Sequence, residues 1–310
     1  MTAADAPRGT VLAGYRIERL LGRGGLGSVY LALDRAGAPV ALKLLDLGGD
    51  RGGDRGGDGA GDGGGELRRL FEREVGLSRR LHHPNIVAIV DAGQEGHLAF
   101  IAMEYVAGGD LAHRGGHGAP MAVARAVVIA ERVAQALAHA HGQGVVHRDV
   151  KPANILVDEA AGQVKLGDFG LARLADLQRS RTGVFAGTPA YMSPEQLAEG
   201  AQDARADLYS LGVVLFELLT ARLPHEAPSL GALLRQVASR PAPPLQQLRP
   251  DAPAALAELV ARLLARDKAE RPAEAATLAQ ALQDVAASLA HDVPAAGKRA
   301  QRMPRPKEGR

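Results

Sequence analysis

The chain opens with short segments in which apolar and polar positions alternate. "YRIERLLGRGG" at 15–25, "GSVYLALD" at 27–34 and "PVALKLLDL" at 39–47 are bounded by Gly, Pro or Asp. That pattern predicts strands joined by tight turns, and hence an antiparallel sheet. In "PVALKLL" a period of two puts Val40, Leu42 and Leu44 on one face and Ala41, Lys43 and Leu45 on the other. Lys43 therefore sits on a largely apolar face. Further on the period changes: in "ELRRLFEREVGLSRRL" the apolar residues at 67, 70, 71, 77 and 81 form a helical stripe. Glu74 falls on that stripe and Glu72 does not. A carboxylate on a buried face is costly unless paired, so Glu74 predicts a basic partner inside the protein. From about residue 110 helical periodicity dominates, notably over 121–141, 205–220, 254–266 and 274–290. A small sheet-rich half with one key helix precedes a larger, mainly helical half, which defines an α+β chain.

Between the two patterns, residues 48–65 contain eleven Gly, four Asp, two Arg and one Ala. Such a stretch cannot bury enough surface to offset its ordering entropy, so it is expected to be a flexible insertion. Its Asp residues recur at 50, 54, 58 and 62, but the apolar residues that would let a Gly/Asp repeat coil around calcium are missing.

Composition narrows the chemistry. The 310 residues are 46% hydrophobic but only 3% aromatic, so the interior must be built mainly from Leu, Val and Ala. The absence of cysteine excludes disulfides, thiolate metal sites and a cysteine nucleophile. The longest apolar run, "LYSLGVVLFELLT" at 208–220, is too short to span a bilayer and carries Glu217, so it reads as a core helix. With no basic start followed by an apolar core at the N-terminus, the expected location is cytoplasmic. The net charge is +2, of which +5 lies between Lys298 and Arg310, leaving −3 for residues 1–297. A basic tail of this kind is expected to be disordered and can contact an anionic partner, whereas the globular part shows no bias towards nucleic acid.

Candidate chemistry centres on "HRDVKPANIL" at 147–156. Pro152 disfavours helix at the residue before it, so Asp149, Lys151 and Asn154 sit on a loop that can aim an acid, a cation and an amide in one direction. "GRGGLGSV" at 22–29 spaces Gly22, Gly24 and Gly27 as G-x-G-x-x-G, followed by Val29. The flanking β-branched alternation favours strand, loop, strand over the strand-to-helix turn of a dinucleotide site, although a plain glycine turn fits the spacing as well. Lys43 requires anions, and the chain offers two: a phosphate under the glycine loop and Glu74. Small Ala41 beside Lys43, with Val29, leaves a slot for a flat ring. In "KLGDFG" at 165–170, Asp168 closes a short strand; with Asn154 it supplies hard oxygens suited to magnesium. "GTPAYMSPE" at 187–195 and an isolated Arg271 follow.

These blocks, in this order from about Tyr15 to about Leu282, resemble a protein kinase of the eukaryotic-like (Hanks-type) serine/threonine class found in bacteria. The resemblance implies a bilobal kinase fold: an extension at 1–14, a kinase domain at 15–285 and a basic tail at 286–310. Within the domain the small lobe would cover about 15–103, the hinge about 104–109 and the large lobe about 110–285. It implies that Leu21, Gly22, Gly24, Gly25, Leu26, Gly27, Ser28 and Val29 cover ATP, with Ala41 against the adenine. Lys43 would hold the α and β phosphates and pair with Glu74. Met103 would be the gatekeeper, Glu104 carbonyl and Val106 amide would grip adenine, and Asp110 would meet the ribose. Asp149 would orient and deprotonate the substrate hydroxyl, Lys151 would neutralise the transferring phosphate, and Asn154 and Asp168 would hold Mg2+, with Mn2+ as an alternative ion.

The remaining implied roles are structural or regulatory. Glu195 would pair with Arg271, Asp207 would brace the catalytic loop, and Thr188 would serve the substrate loop. Arg148 before the catalytic Asp implies control by a phosphate on the activation segment, with Thr182 the first candidate site and Ser180 the second. The implied partners are Ser/Thr protein substrates and, for autophosphorylation, a second copy in a transient dimer. A pseudokinase would be expected to lose Lys43, Asp149 or Asp168, and a small-molecule kinase to lack "GTPAYMSPE" with its Arg271; neither loss is seen. Histidines 82, 83, 139 and 141 are expected to be packing or surface residues and His147 a core residue. Two departures from the family pattern stand out: "SPE" in place of "APE", and the length of the Gly-rich insertion ahead of Glu74.

Overall fold

The computed structural model describes residues 6–25, 27–47, 63–114, 119–170, 174, 189–198 and 200–291. Six strands, β1 (Val11–Leu12), β2 (Tyr15–Gly24), β3 (Gly27–Leu33), β4 (Pro39–Asp46), β5 (Ile89–Glu95) and β6 (Leu98–Glu104), form one antiparallel sheet in the order β1-β2-β3-β4-β6-β5. The period of two in β4 divides the core as the sequence requires. Val40, Leu42 and Leu44 pack with Tyr15, Ile17, Tyr30 and Phe100 on one face. On the other, Leu45 and Ala41 join Ile101 and Met103. Helix α1 (Gly63–Ser78) docks on this second face through Leu67, Phe71 and Val75. Each such buried side chain contributes about 1.5–3 kcal/mol, which holds a helix whose first residues are glycines. The insertion expected to run to residue 65 thus gives way to helix at Gly63.

The larger half is helical among the described residues: α2 (Leu111–Arg114), α3 (Val123–Gly142), α4 (Pro194–Leu197), α5 (Arg205–Thr220), α6 (Leu230–Ser239), α7 (Leu245–Leu248), α8 (Ala254–Leu263) and α9 (Ala275–His291). Its core is built as the composition demands. Small residues of α3, Ala126, Ala130, Ala134 and Ala140, let Val213, Leu215 and Phe216 of α5 pack close. α5 is buried over nearly all its surface, the expected core helix, and no helix among the described residues is long and apolar enough to cross a membrane. A hairpin of β7 (Ile155–Asp158) and β8 (Gln163–Leu166) faces the smaller half.

Two boundaries differ from the sequence reading. The segment before Tyr15 belongs to the sheet: β1 pairs with β2, and Ala6 and Leu12 enter the first core. At the other end α9 continues to His291, because Ala286 and Leu289 still pack against the large core.

The halves meet along β8. Leu166 N–H donates to Asn85 O (2.8 Å), Val87 N–H donates to Leu166 O (3.0 Å), and Asn85 Nδ2 donates to Val164 O (2.8 Å). The connector from α1 to β5 is thereby hydrogen-bonded to a strand of the other half.

Candidate active site

The glycine loop lies between β2 and β3, whose register brings Gly24 opposite Gly27 and Arg23 opposite Ser28. A Cβ on Gly27 would lie 1.9 Å from Leu44 O, and φ is +143°, so only glycine lets β3 approach β4 there. At Gly22 a Cβ would meet nothing within 4 Å. Gly27 is therefore demanded by the fold, while Gly22 keeps the loop surface low. Leu21 and Gly25 fall on the same hairpin; Leu26 lies outside the described residues.

Beneath the loop, β4 pairs Lys43 with Val29 on one side and Ile101 on the other, and Ala41 with Met103. Lys43 is only 6% exposed and its Nζ lies 2.7 Å from Asp168 Oδ2. This is a correction: the cation expected to pair with Glu74 is ion-paired with Asp168. Glu74 is buried as expected, but it is directed at the 168–170 turn, where its Oε2 would be 3.3 Å from a Cβ on Gly170. The turn comes between helix and strand, so Asp168 reaches the ammonium. Ser78 Oγ, 2.9 Å from both Glu74 O and Phe169 O, fastens α1 to that turn. Burial alone would raise the Asp168 pKa; the nearby Lys43, aided by His147 and Lys151, holds it below the ordinary carboxylate value.

Residues 147–154 form a loop, consistent with Pro152. Lys151 is extended (φ −158°, ψ 163°), and Pro152–Asn154 form one 3-10 turn before β7. Lys151 Nζ contacts both oxygens of Asp149 (2.9 and 2.7 Å), and Asn154 Nδ2 donates to Asp149 O (2.7 Å) and Oδ2 (3.1 Å). The sequence thus converges the three predicted side chains. With its NH2 spent on Asp149, Asn154 presents its amide oxygen as the remaining acceptor.

The loop is braced from within. Asp207, fully buried in the first turn of α5, accepts His147 N–H (Oδ2, 2.8 Å) and Arg148 N–H (Oδ1, 2.7 Å). Arg148 takes a left-handed φ of 67°. Asp207 also lies 2.8 Å from His141 Nε2, a contact the sequence reading missed by treating His141 as packing. His147 is a core residue: Nδ1 accepts Asp149 N–H (3.2 Å), so Nε2 carries the proton and donates to Gly167 O (2.8 Å). Its ring packs edge-on against Phe169 with centroids 4.5 Å apart.

At the junction, Glu104 ends β6, its N–H donating to Ala88 O (2.9 Å), and Val106 is buried. Asp110 caps α2 by accepting His113 N–H (3.0 Å) and contacts His113 Nδ1 (2.9 Å), so a helix-capping role accounts for it locally. Thr188, Thr182 and Ser180 lie outside the described residues.

Arg271, 3% exposed, meets Glu195 through two bonds (2.7 and 2.9 Å) and donates its three other N–H groups to Ala265, Arg205 and Arg266 carbonyls. All five donors are used, which makes burial of the guanidinium tolerable. Burial pushes the Glu195 pKa up, but the Arg271 hydrogen bonds outweigh it and leave it low. Ser193 of "SPE" accepts Gln196 N–H, and Gln196 Oε1 accepts Ser193 N–H, a capping box legible as S-x-x-Q. Gln196 Nε2 also donates to Arg148 O (2.9 Å), tying this helix to the loop that carries Asp149.

Residues 15–285 match the protein kinase domain family. The serine/threonine-protein kinase PknJ of Mycobacterium tuberculosis is 43% identical over 291 residues, covering 90% of this chain and 46% of PknJ. Pkn3 of Myxococcus xanthus is 38% identical over 292 residues, 89% of this chain and 50% of that one. The chain therefore spans about half the length of these curated relatives. The crystal structure of the PknI kinase domain of M. tuberculosis superposes with a TM-score of 0.68 at 30% identity, covering 91% of this chain and 100% of that domain. On the family match and these relatives, the chain belongs to the protein kinases, on the eukaryotic-like serine/threonine branch found in bacteria.

Proposed function

We propose that the protein transfers the γ-phosphate of ATP to serine and threonine hydroxyls of proteins, its own activation segment included. The observation that carries this reading is the convergence of Asp149, Lys151 and Asn154 on one braced loop, in the same half as Asp168, which pairs with the buried Lys43 of the other half. Asp149 accepts the proton of the attacking hydroxyl as its oxygen bonds to phosphorus and the bond to the ADP oxygen breaks. Lys151, already within 2.9 Å of Asp149, neutralises charge on the transferring group, and Lys43 holds the phosphates left behind. The hard oxygens of Asn154 and Asp168 would hold a divalent ion, Mg2+ or alternatively Mn2+, which when bound would offset the charge of the phosphates.

The hinge backbone at Glu104 and Val106 is assigned to adenine, Asp110 to the ribose edge, and the glycine hairpin to the phosphates. Arg148, beside the catalytic Asp, is assigned to a phosphate on Thr182 or Ser180, delivered in a transient dimer. The dependence on ATP supports a cytoplasmic placement of the domain.

The test compares phosphate transfer from ATP to a generic basic protein by wild type, Lys43→Met and Asp149→Asn. Loss of an electrostatic or proton-accepting group at such a site lowers the rate by about 10²–10³-fold, so both variants should fall by that much. Equal transfer by all three would assign the activity to a contaminant. Peptide mass spectrometry after incubation with Mg-ATP should place phosphate on Thr182 first; an unmodified Thr182 removes that assignment.

A further inference from the structure

Lys165 has no part in the site as described, yet it is 9% exposed on β8, three positions before Asp168. The alternation of β8 turns Val164 and Leu166 into the large core and Lys165 the other way, opposite Leu156 of β7. A buried ammonium needs an anion, and it has one across the joint between the halves. Lys165 Nζ lies 2.9 Å from both Oε1 and Oε2 of Glu104. Glu104 is the last residue of β6, paired to Val40 in the sheet and bonded to Ala88 by its N–H. Its carboxylate also accepts the Ala88 N–H (3.4 Å). One side chain of the large half thus fixes the residue at which the sheet becomes the hinge.

We infer that Lys165 is a positioning residue for nucleotide binding: by clamping the Glu104 carboxylate it sets the hinge backbone that meets adenine. It also links that backbone to the strand that delivers Asp168. The inference rests on the kinase reading of the hinge. Removing the carboxylate strands the Lys165 ammonium in a place of low exposure, and removing Lys165 leaves the part-exposed Glu104 carboxylate without its clamp, so in either case the hinge shifts. The displaced group is backbone at the base-binding edge, distant in role from the loop that carries Asp149. The effect therefore falls on nucleotide affinity more than on transfer.

The experiment measures KM for ATP, kcat and ADP affinity by calorimetry for Lys165→Met, Glu104→Gln and the exchanged pair Glu104→Lys with Lys165→Glu. Expected is a rise of about tenfold in KM and in the ADP dissociation constant for each single variant, with kcat within about twofold, the split that marks loss of uniform binding. The exchanged pair should recover most of the affinity. Glu104→Gln, close to isosteric, keeps the test readable if Lys165→Met unfolds. Folded single variants with KM and ADP affinity within twofold of wild type, or an exchanged pair as weak as the singles, would overturn the inference. A wild type that binds ADP but transfers no phosphate would sink the proposed reaction and leave the affinity comparison intact.

Discussion

The two walls of the cleft are held in place by different means. On the helical side, Asp149, Lys151 and Asn154 bond to one another, and the backbone beneath them hangs on a fully buried carboxylate of the same half, Asp207. On the sheet side, the chemistry is completed from elsewhere: Lys43 finds its anion in Asp168, and α1 is fastened to the 168–170 turn through Ser78. The Asp149 loop is organised within one core, whereas the Lys43 side, to which we assign the phosphates, is assembled across the joint. Changes on the first side should cost stability and rate together; many on the second should alter binding with little effect on folding.

The severest test of that contrast is Asp207→Ala. It orphans two buried backbone N–H groups and the His141 contact, an expected loss of roughly 3–5 kcal/mol by denaturant titration. A loss under 1 kcal/mol would mean the loop is held by something else. Next comes a pair of glycines in one loop. Gly27→Ala forces β3 from β4 and should cost about 2–3 kcal/mol. Gly22→Ala, with open space above it, should stay within about 0.5 kcal/mol in thermal unfolding while weakening ATP binding. Ser193→Ala removes a capping box and should cost about 1 kcal/mol, read from the same melts.

The smallest expected effect is a pH difference. Because the folded Asp168 pKa is depressed, its pairing with Lys43 contributes stability above the unfolded carboxylate value of about 3.9 and loses it as pH falls through the lower, folded value. Other carboxylates such as Glu195 titrate in the same window, so the informative quantity is a difference. The stability gap between wild type and Lys43→Met in urea should narrow from pH 6 towards pH 3. A constant gap would place the Lys43 contribution outside the ion pair.

Much of this architecture was legible because local rules dictate it. The faces of β4, the stripe of α1 and the extended residue before Pro152 follow from period and turn chemistry, whereas the Glu195–Arg271 pair was expected from the family resemblance alone. What was not legible is pairing between distant segments. A buried cation at Lys43 demands an anion, but periodicity does not choose between Glu74 and Asp168; the turn at 168–170 does. Lys165 and Glu104 are each ordinary in their own strands and become a pair only where β8 meets the end of β6. His141 hides for the same reason, since its partner lies in the first turn of α5 and the intervening chain gives no sign of the approach. β1, β5 and β6 were not singled out either: β1 is only two residues long, β5 breaks register between Ile89 and Asp91, and β6 is buried throughout and shows no alternation.

The Ser78 hydroxyl, shared between a helix carbonyl and the carbonyl of Phe169, carries one more implication. An outward swing of α1 would drag or rupture the attachment of an aromatic residue that lines one cavity with Val75, Ile101 and Met103. Any displacement of the helix is therefore felt at that ring through a single hydroxyl.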